Sequence, residues 1–465
     1  MHQASVRAAR GTPAPAGLPS PRTPGAALLL AAGAGLAAAQ ESPPPERGSF
    51  EQALDEMVAG QEKAKKSATP SLDLFSGARF SLLDLSLDAL FAAGTSTERD
   101  DSIEDLQAGG HDPHQRGFTV QNLELSALGA VDPYFNLEAH LIYFVDPEGE
   151  SQFELEEAFA TTSSLPWGLQ LEAGQFFTEF GRINPQHPHE WDFIDQPVIH
   201  GRLFGPDNMR GPGARLGWLA PVSWFAELHL GIQNADGETM TSFLGSDEEE
   251  APGGHVVEEH DTSSLADFVW LGRLHQSWEL REDVVAQLGV SGLWGPNSAG
   301  SSTRTSVYGA DLRVKWRPRR TDAGWPFVVW QSEVLRRRFG TSFQEVDDPD
   351  GVPGSGDELF LAGETLRDTG FYTQLLWGFR RAWTAGLRFE QATSSGGGLT
   401  PRDEDPARDD RLRISPLLAW TPTHFSRVRL QYNLDLADHL EHHDRAHSIW
   451  LGLEVLIGRH PAHGD

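Results

Sequence analysis

A chain of 465 residues is long enough for two or three soluble domains or for one large membrane barrel. Its formal net charge of −30 excludes nucleic acid as a partner, because phosphate binding needs a basic patch. The absence of cysteine excludes disulfide staples and thiolate metal sites.

At the N-terminus, Arg7, Arg10 and Arg22 lead into the apolar run from Gly25 to Ala39, which closes on Ala37-Ala38-Ala39. A basic start, a short apolar stretch and small residues at its exit predict a signal peptide over 1–39. Residues 40–70 begin Pro-rich and then carry Phe50, Leu54, Met57 and Val58 on one helical stripe. They predict a periplasmic linker or short helix. No later apolar run approaches the ~20 residues of a spanning helix.

From residue 71 to 465 the pattern is that of strands. The segment from Phe135 places Phe135, Leu137, Ala139, Leu141, Tyr143 and Val145 on one face and Asn136, Glu138 and His140 on the other. Sixteen such segments are predicted. They fall near 79–92, 116–129, 134–145, 152–163, 168–177, 209–219, 222–233 and 264–280, then 283–295, 303–317, 326–338, 368–380, 382–392, 410–421, 424–436 and 445–458. Short links such as Val131-Asp132-Pro133, Glu282-Asp283 and Arg380-Arg381 alternate with long loops at 93–115, 178–208, 234–263, 339–367 and 393–409. In lipid every backbone polar group must be paired internally, so only helices or closed barrels span. Apolar-out strands with short turns at one end and long loops at the other predict an all-β, antiparallel, up-and-down transmembrane barrel in a Gram-negative outer membrane. Trp167, Trp218, Trp224, Trp294, Trp325, Trp377, Trp383, Trp420 and Trp450 lie at or near strand ends, where interfacial tryptophans belong.

The polar faces forecast what a solute meets inside. Glu138, Arg313, Lys315, Arg388, Arg411, Arg413, Arg427 and Arg429 are expected to line the pore, the cationic members gathered in the C-terminal half. Charged rings of this kind are how wide pores select ions. The loop from Phe176 to Phe193 is rich in large rings that an exposed loop would not carry. Folded back into the lumen, it would bury them and present Glu179, Arg182, Asp192 and Asp195 as a constriction.

Part of this loop, Gly181-Arg182-Ile183-Asn184-Pro185-Gln186-His187-Pro188-His189-Glu190-Trp191-Asp192-Phe193, resembles outer-membrane proteins of the zinc-regulated TonB-dependent receptor family. Similar to the same family are Arg202-Leu203-Phe204-Gly205, Gly211-Pro212-Gly213-Ala214-Arg215-Leu216, and the ending with His447-Ser448-Ile449-Trp450-Leu451 and His460-Pro461-Ala462-His463. The resemblance implies a Gram-negative outer-membrane barrel expressed in response to zinc. The segment 40–70 is too short for the folded plug of an energised transporter, which points to a porin-like member.

With no cysteine, a metal would be held by imidazole and carboxylate. Candidates are His187 with His189, and His255, Glu258 and His260 in an acidic outward loop. No HExxH, GxxxxGK[ST] or strand-borne GxGxxG is present, so no catalytic residue is assigned. The sequence predicts a passive channel for small hydrophilic or charged solutes. It needs no cofactor, admits a weakly held Zn2+ or Ca2+, contacts outer-membrane lipid and lipopolysaccharide, and leaves a homo-oligomer open. A zinc-responsive uptake component and a non-conducting surface protein are the competing readings.

Overall fold

The computed structural model describes residues 84–458 except 147–148, 246–249, 259–261, 348–358 and 441–443, together with 72–73 and 79–80. The predicted signal peptide and linker lie outside the described residues. Sixteen antiparallel strands close into one barrel. The first half comprises β1 (Asp84–Ser96), β2 (Gly117–Ala130), β3 (Phe135–Val145), β4 (Ser151–Thr162), β5 (Leu169–Phe177), β6 (Arg210–Leu219), β7 (Phe225–Asn234) and β8 (Phe268–Arg281). The second comprises β9 (Val284–Pro296), β10 (Arg304–Trp316), β11 (Phe327–Gly340), β12 (Thr365–Arg380), β13 (Trp383–Ser395), β14 (Arg411–Thr423), β15 (Ser426–Ala437) and β16 (Arg445–Gly458). Each strand pairs with its sequence neighbours, and β16 returns to β1 with Leu453 opposite Phe91. Closure leaves no sheet edge to be satisfied by lipid.

The predicted segments all appear. The first begins at Asp84 rather than near 79, because Arg79–Phe80 pair instead with Leu72–Asp73. The tight links are built as their residues dictate. Asp132 Oδ1 accepts the N–H groups of Tyr134 at 2.7 Å and Phe135 at 2.9 Å, so the carboxylate forms the turn that joins β2 to β3.

Alternation sorts the two faces. Leu137 and Leu141 are 47% and 46% exposed toward lipid, whereas His140 between them is 3% exposed toward the lumen. Trp167, Trp218, Trp224, Trp377 and Trp420 are exposed near the short-turn end. Trp450 departs from the expected interfacial belt. It points inward, 1% exposed, packs with Ile103 and Ile194, and lies over Gly94, where a side chain would collide with its ring. Trp325 also differs, lining a lumenal cavity instead.

Two register shifts break the period of two. In β4, Glu157 faces His140 and Leu155 faces Leu141, which leaves Glu156 as the extra residue. In β2, Asn122 faces Leu90 and Val120 faces Phe91, which leaves Gln121. Each bulge turns two consecutive polar side chains inward, and all four are buried.

Candidate functional site

The third outward loop, residues 178–208, crosses the lumen. Its backbone is held from several sides: Arg182 N–H by Glu333 of β11, Ile194 N–H by Gln431 of β15 at 2.8 Å, and Val198 N–H by Glu390 of β13 at 2.8 Å. Gly181 takes φ +64°, and a side chain there would stand 2.6 Å from Glu333. Glycine therefore permits the turn that brings the loop onto β11. The helix α2 (Val198–Phe204) follows, and Phe180, Val198, Ile199, Leu203 and Phe204 form an apolar core with Val269, Leu271, Leu293, Val307 and Leu335 of the wall. This stretch of lumen wall on β8–β11 is apolar, which the expectation of a polar lumen did not include. It is apolar because the loop, and not water, covers it.

Asp195 anchors the middle of the loop. Its side chain is fully buried; Arg388 pairs with one oxygen and Arg413 with the other at 3.1 Å. Gln431 and Asn433 each donate an amide N–H to it at 2.7 Å. Burial alone would raise its pKa, but Arg388 and Arg413 overrule that and hold the carboxyl below the usual aspartate range. Arg388 also meets Glu390 at 2.6 Å and lies 4.6 Å above the Phe193 ring. Arg429 donates to the carbonyls of Trp191 and Phe193 at 2.9 Å each, and Arg427 to that of His189 at 2.6 Å. Arg411 and Arg413 reach outward to the Leu106 carbonyl at 2.8 and 2.6 Å, capping the helix α1 (Asp100–Leu106) of the first loop. Arg388, Arg411, Arg413, Arg427 and Arg429 all face inward, and their guanidiniums grip loops.

The other residues expected at the constriction are equally engaged. Glu179 pairs with Arg215 and lies 3.9 Å from Arg273. Burial opposes its charge, yet Arg215, His229 and Arg273 bring its carboxyl down to about 2. The Arg182 guanidinium reaches Asp311 at 4.0 Å, and Asp192 accepts from Gln374 at 3.0 Å.

Cavities of opposite charge border the loop. One of about 260 Å3 is lined by Glu124, Glu138, Glu157, Glu172, Glu179 and Glu190 with His140, His187, His189 and Arg215. Another of about 320 Å3 is lined by Arg313, Lys315, Arg317 and Arg427 with Asp192 and Trp325. Arg313 and Lys315 also border a third of about 170 Å3 with Arg317, Glu282 and Asp283. Lys315, Arg317 and Trp325 sit at the short-turn end of β10 and β11, which is periplasmic in such barrels.

His187 and His189 meet the wall. Glu124 Oε2 is 3.0 Å from His189 Nδ1 and 3.3 Å from His187 Nδ1, and Glu124 Oε1 is 2.9 Å from His140 Nδ1. Glu156 and Glu157 contact the two nitrogens of His187 at 2.8 and 3.1 Å, and Glu138 reaches His140 Nε2 at 3.1 Å. Burial works against charge on His187, but Glu124 and Glu156 overrule it and hold the imidazole well above its usual range. His255 lies apart from this set: it is buried, with Nδ1 3.1 Å from Gln344. Glu258 is half-buried, its N–H donating to the Ser298 carbonyl at 2.8 Å, and His260 lies outside the described residues. Sequence reasoning put His140 on an inward face but did not join it to Glu124, Glu156 and His187. The bulge at Glu156, invisible to a period-two reading, completes the group.

A closed barrel with an apolar exterior and a polar, loop-filled interior is an outer-membrane protein of the Gram-negative type, with the architecture of porins and related channels. The outer-membrane channel DcaP of Acinetobacter baumannii has a similar fold, with a TM-score of 0.52 and 10% identity, covering 81% of this chain and 97% of that one. OprB of Pseudomonas putida superposes less closely, with a TM-score of 0.48 and 9% identity over 81% of this chain and 94% of that one. By sequence, the chain is 28% identical over 409 residues to a protein of Aquifex aeolicus described only as uncharacterized, covering 82% of this chain and 80% of that protein. No family model matches the chain.

Proposed function

We propose that the chain is a porin-like channel that passes small hydrophilic or charged solutes down their gradient, filtered by the third loop and without a chemical step. The observation that carries this reading is the loop crossing the lumen, gripped by wall arginines and bordered by cavities of opposite charge. A solute passing the loop meets glutamates on one wall and Arg313, Lys315 and Arg317 on another, so charge and dipole orientation set its passage. Single-channel recording of the refolded mature chain in a planar bilayer, with a salt gradient, tests it. Ohmic steps with a non-zero reversal potential are expected. Their absence from a correctly folded barrel would refute the channel and favour a surface protein that binds lipopolysaccharide through divalent cations.

The zinc-responsive uptake reading is supported by the imidazole–carboxylate set around Glu124 and by the loop's resemblance to zinc-regulated receptors. Uptake that depends on zinc and on an energised partner would support it over passive diffusion.

A further inference from the structure

We infer that Glu124, His140 and His187 form a binding site for one first-row divalent transition cation, which fastens the third loop to the barrel wall. The inference is independent of the channel reading, since it concerns binding by the folded barrel whether or not it conducts.

Geometry makes the first argument. One donor atom from each of the three residues lies within 4.8 Å of the others, and all three side chains are buried. In a tetrahedral zinc site with bonds near 2.0–2.1 Å, neighbouring donors stand about 3.3 Å apart. Glu124 Oε2 stands 3.3 Å from His187 Nδ1, at that edge length, while the other carboxylate oxygen, Oε1, stands 2.9 Å from His140 Nδ1. Two imidazoles with one carboxylate, and an open fourth position, suit zinc or a neighbouring metal rather than calcium. His189 stacks on His187 with ring centroids 5.6 Å apart, its Nδ1 on the same Glu124 oxygen.

Charge makes the second. The buried group holds four carboxylates, Asp88, Glu124, Glu156 and Glu157, with the partly exposed Glu138 at its edge, against three imidazoles, His140, His187 and His189. Even with every imidazole protonated, the carboxylates outnumber them. Arg427 and Arg215, which border the group, are paired with Glu454 and with Glu172 and Glu179. A divalent cation that displaces the protons of His140 and His187 leaves the net charge of the group unchanged, so binding exchanges protons for metal without adding to the cost of buried charge.

Asp88 is the independent sign. It lies directly opposite Glu124 across β1 and β2, is 5% exposed, and neither of its carboxylate oxygens has a hydrogen-bond partner. Its charged neighbours are His189, Glu124, Glu454 and Arg427. A buried carboxylate with no hydrogen-bond partner, set beside Glu124, is a charge that a cation on Glu124 would offset. The adjoining cavity of about 260 Å3, in whose lining glutamate is the commonest residue, gives a cation its approach.

The test is Zn2+ titration of the refolded mature chain by calorimetry, with visible absorption of the Co2+-loaded protein to report coordination. One tight site per chain is expected, with Co2+ bands of low-symmetry nitrogen and oxygen coordination. His187→Gln should weaken it by about 100-fold or more, since losing even an outer partner costs 10–100-fold, and His255→Gln should leave it unchanged. His187 is on the loop, so this variant leaves barrel closure intact, as heat-dependent gel migration verifies. His140→Gln gives the same loss from the wall side. Weak, multiple binding indifferent to His187→Gln in a closed barrel would overturn the inference.

Discussion

Asp195→Ala is the sharpest probe of the loop clamp. The substitution removes a buried carboxylate that two guanidiniums and two side-chain amides share. Arg388 keeps Glu390, and Arg413 keeps Asp435 at 2.6 Å. Both lose half of their compensation, and the amides of Gln431 and Asn433 lose an acceptor. Breaking a buried ion pair from one side costs about 3–5 kcal/mol. At ~1.4 kcal/mol per decade, that moves the balance between docked and displaced loop by about two to four orders of magnitude. In planar bilayers the variant should therefore show larger, noisier steps than the wild type at the same salt, while its gel migration still reports a closed barrel. Steps of unchanged size and noise from a closed barrel would refute the idea that this clamp sets the constriction.

The same carboxylate gives a pH signature. Its titration lies below the usual range in the folded state, so its contribution is complete above the unfolded value near 4 and is lost only as pH falls further; conductance should stay constant from pH 7 to about 4 and rise below it. Gly181→Ala forces a side chain at positive φ, costing about 1–2 kcal/mol, and pushes on Glu333, which also accepts from His200 at 2.6 Å; a lower unfolding midpoint with a larger conductance is expected, and an unchanged pair of values would sink this reading. Arg313→Gln with Lys315→Gln strips charge from both basic cavities, so the reversal potential in a salt gradient should move toward cation preference. Leu141→Arg places a charge on the lipid face of β3 and should cost about 2–4 kcal/mol in urea unfolding from vesicles.

Much of this fold was legible because a barrel in lipid obeys one rule along each strand. Apolar positions every second residue, with turn formers such as Asp132 and Pro133 between runs, locate the strands and their faces. The inward set from Arg411 to Asp435 followed from the same parity, and the rings of residues 176–193 betrayed an inward loop. What the parity did not carry was the destination of each charge. That Arg388 and Arg413 close on Asp195, far along the chain, depends on where the loop docks. The Glu124–His140–His187 group was illegible for a related reason, since its members come from two strands and a loop, and Glu156 enters only through a bulge. Trp450 misled because a ring near a strand end reads as interfacial, while Gly94 on the neighbouring strand offers it a flat inner floor.

The extra residue in β4 has an evolutionary consequence. A membrane strand cannot easily trade its lipid-facing residues, so its lumenal chemistry is ordinarily confined to alternate positions. One inserted residue places Glu156 beside Glu157 on the inner face, while Leu155 still faces lipid with 46% of its surface exposed. β2 repeats the device at Gln121 and Asn122. A lineage can thus add or remove a lumenal ligand by a single-codon insertion or deletion, leaving the surface that the bilayer inspects untouched.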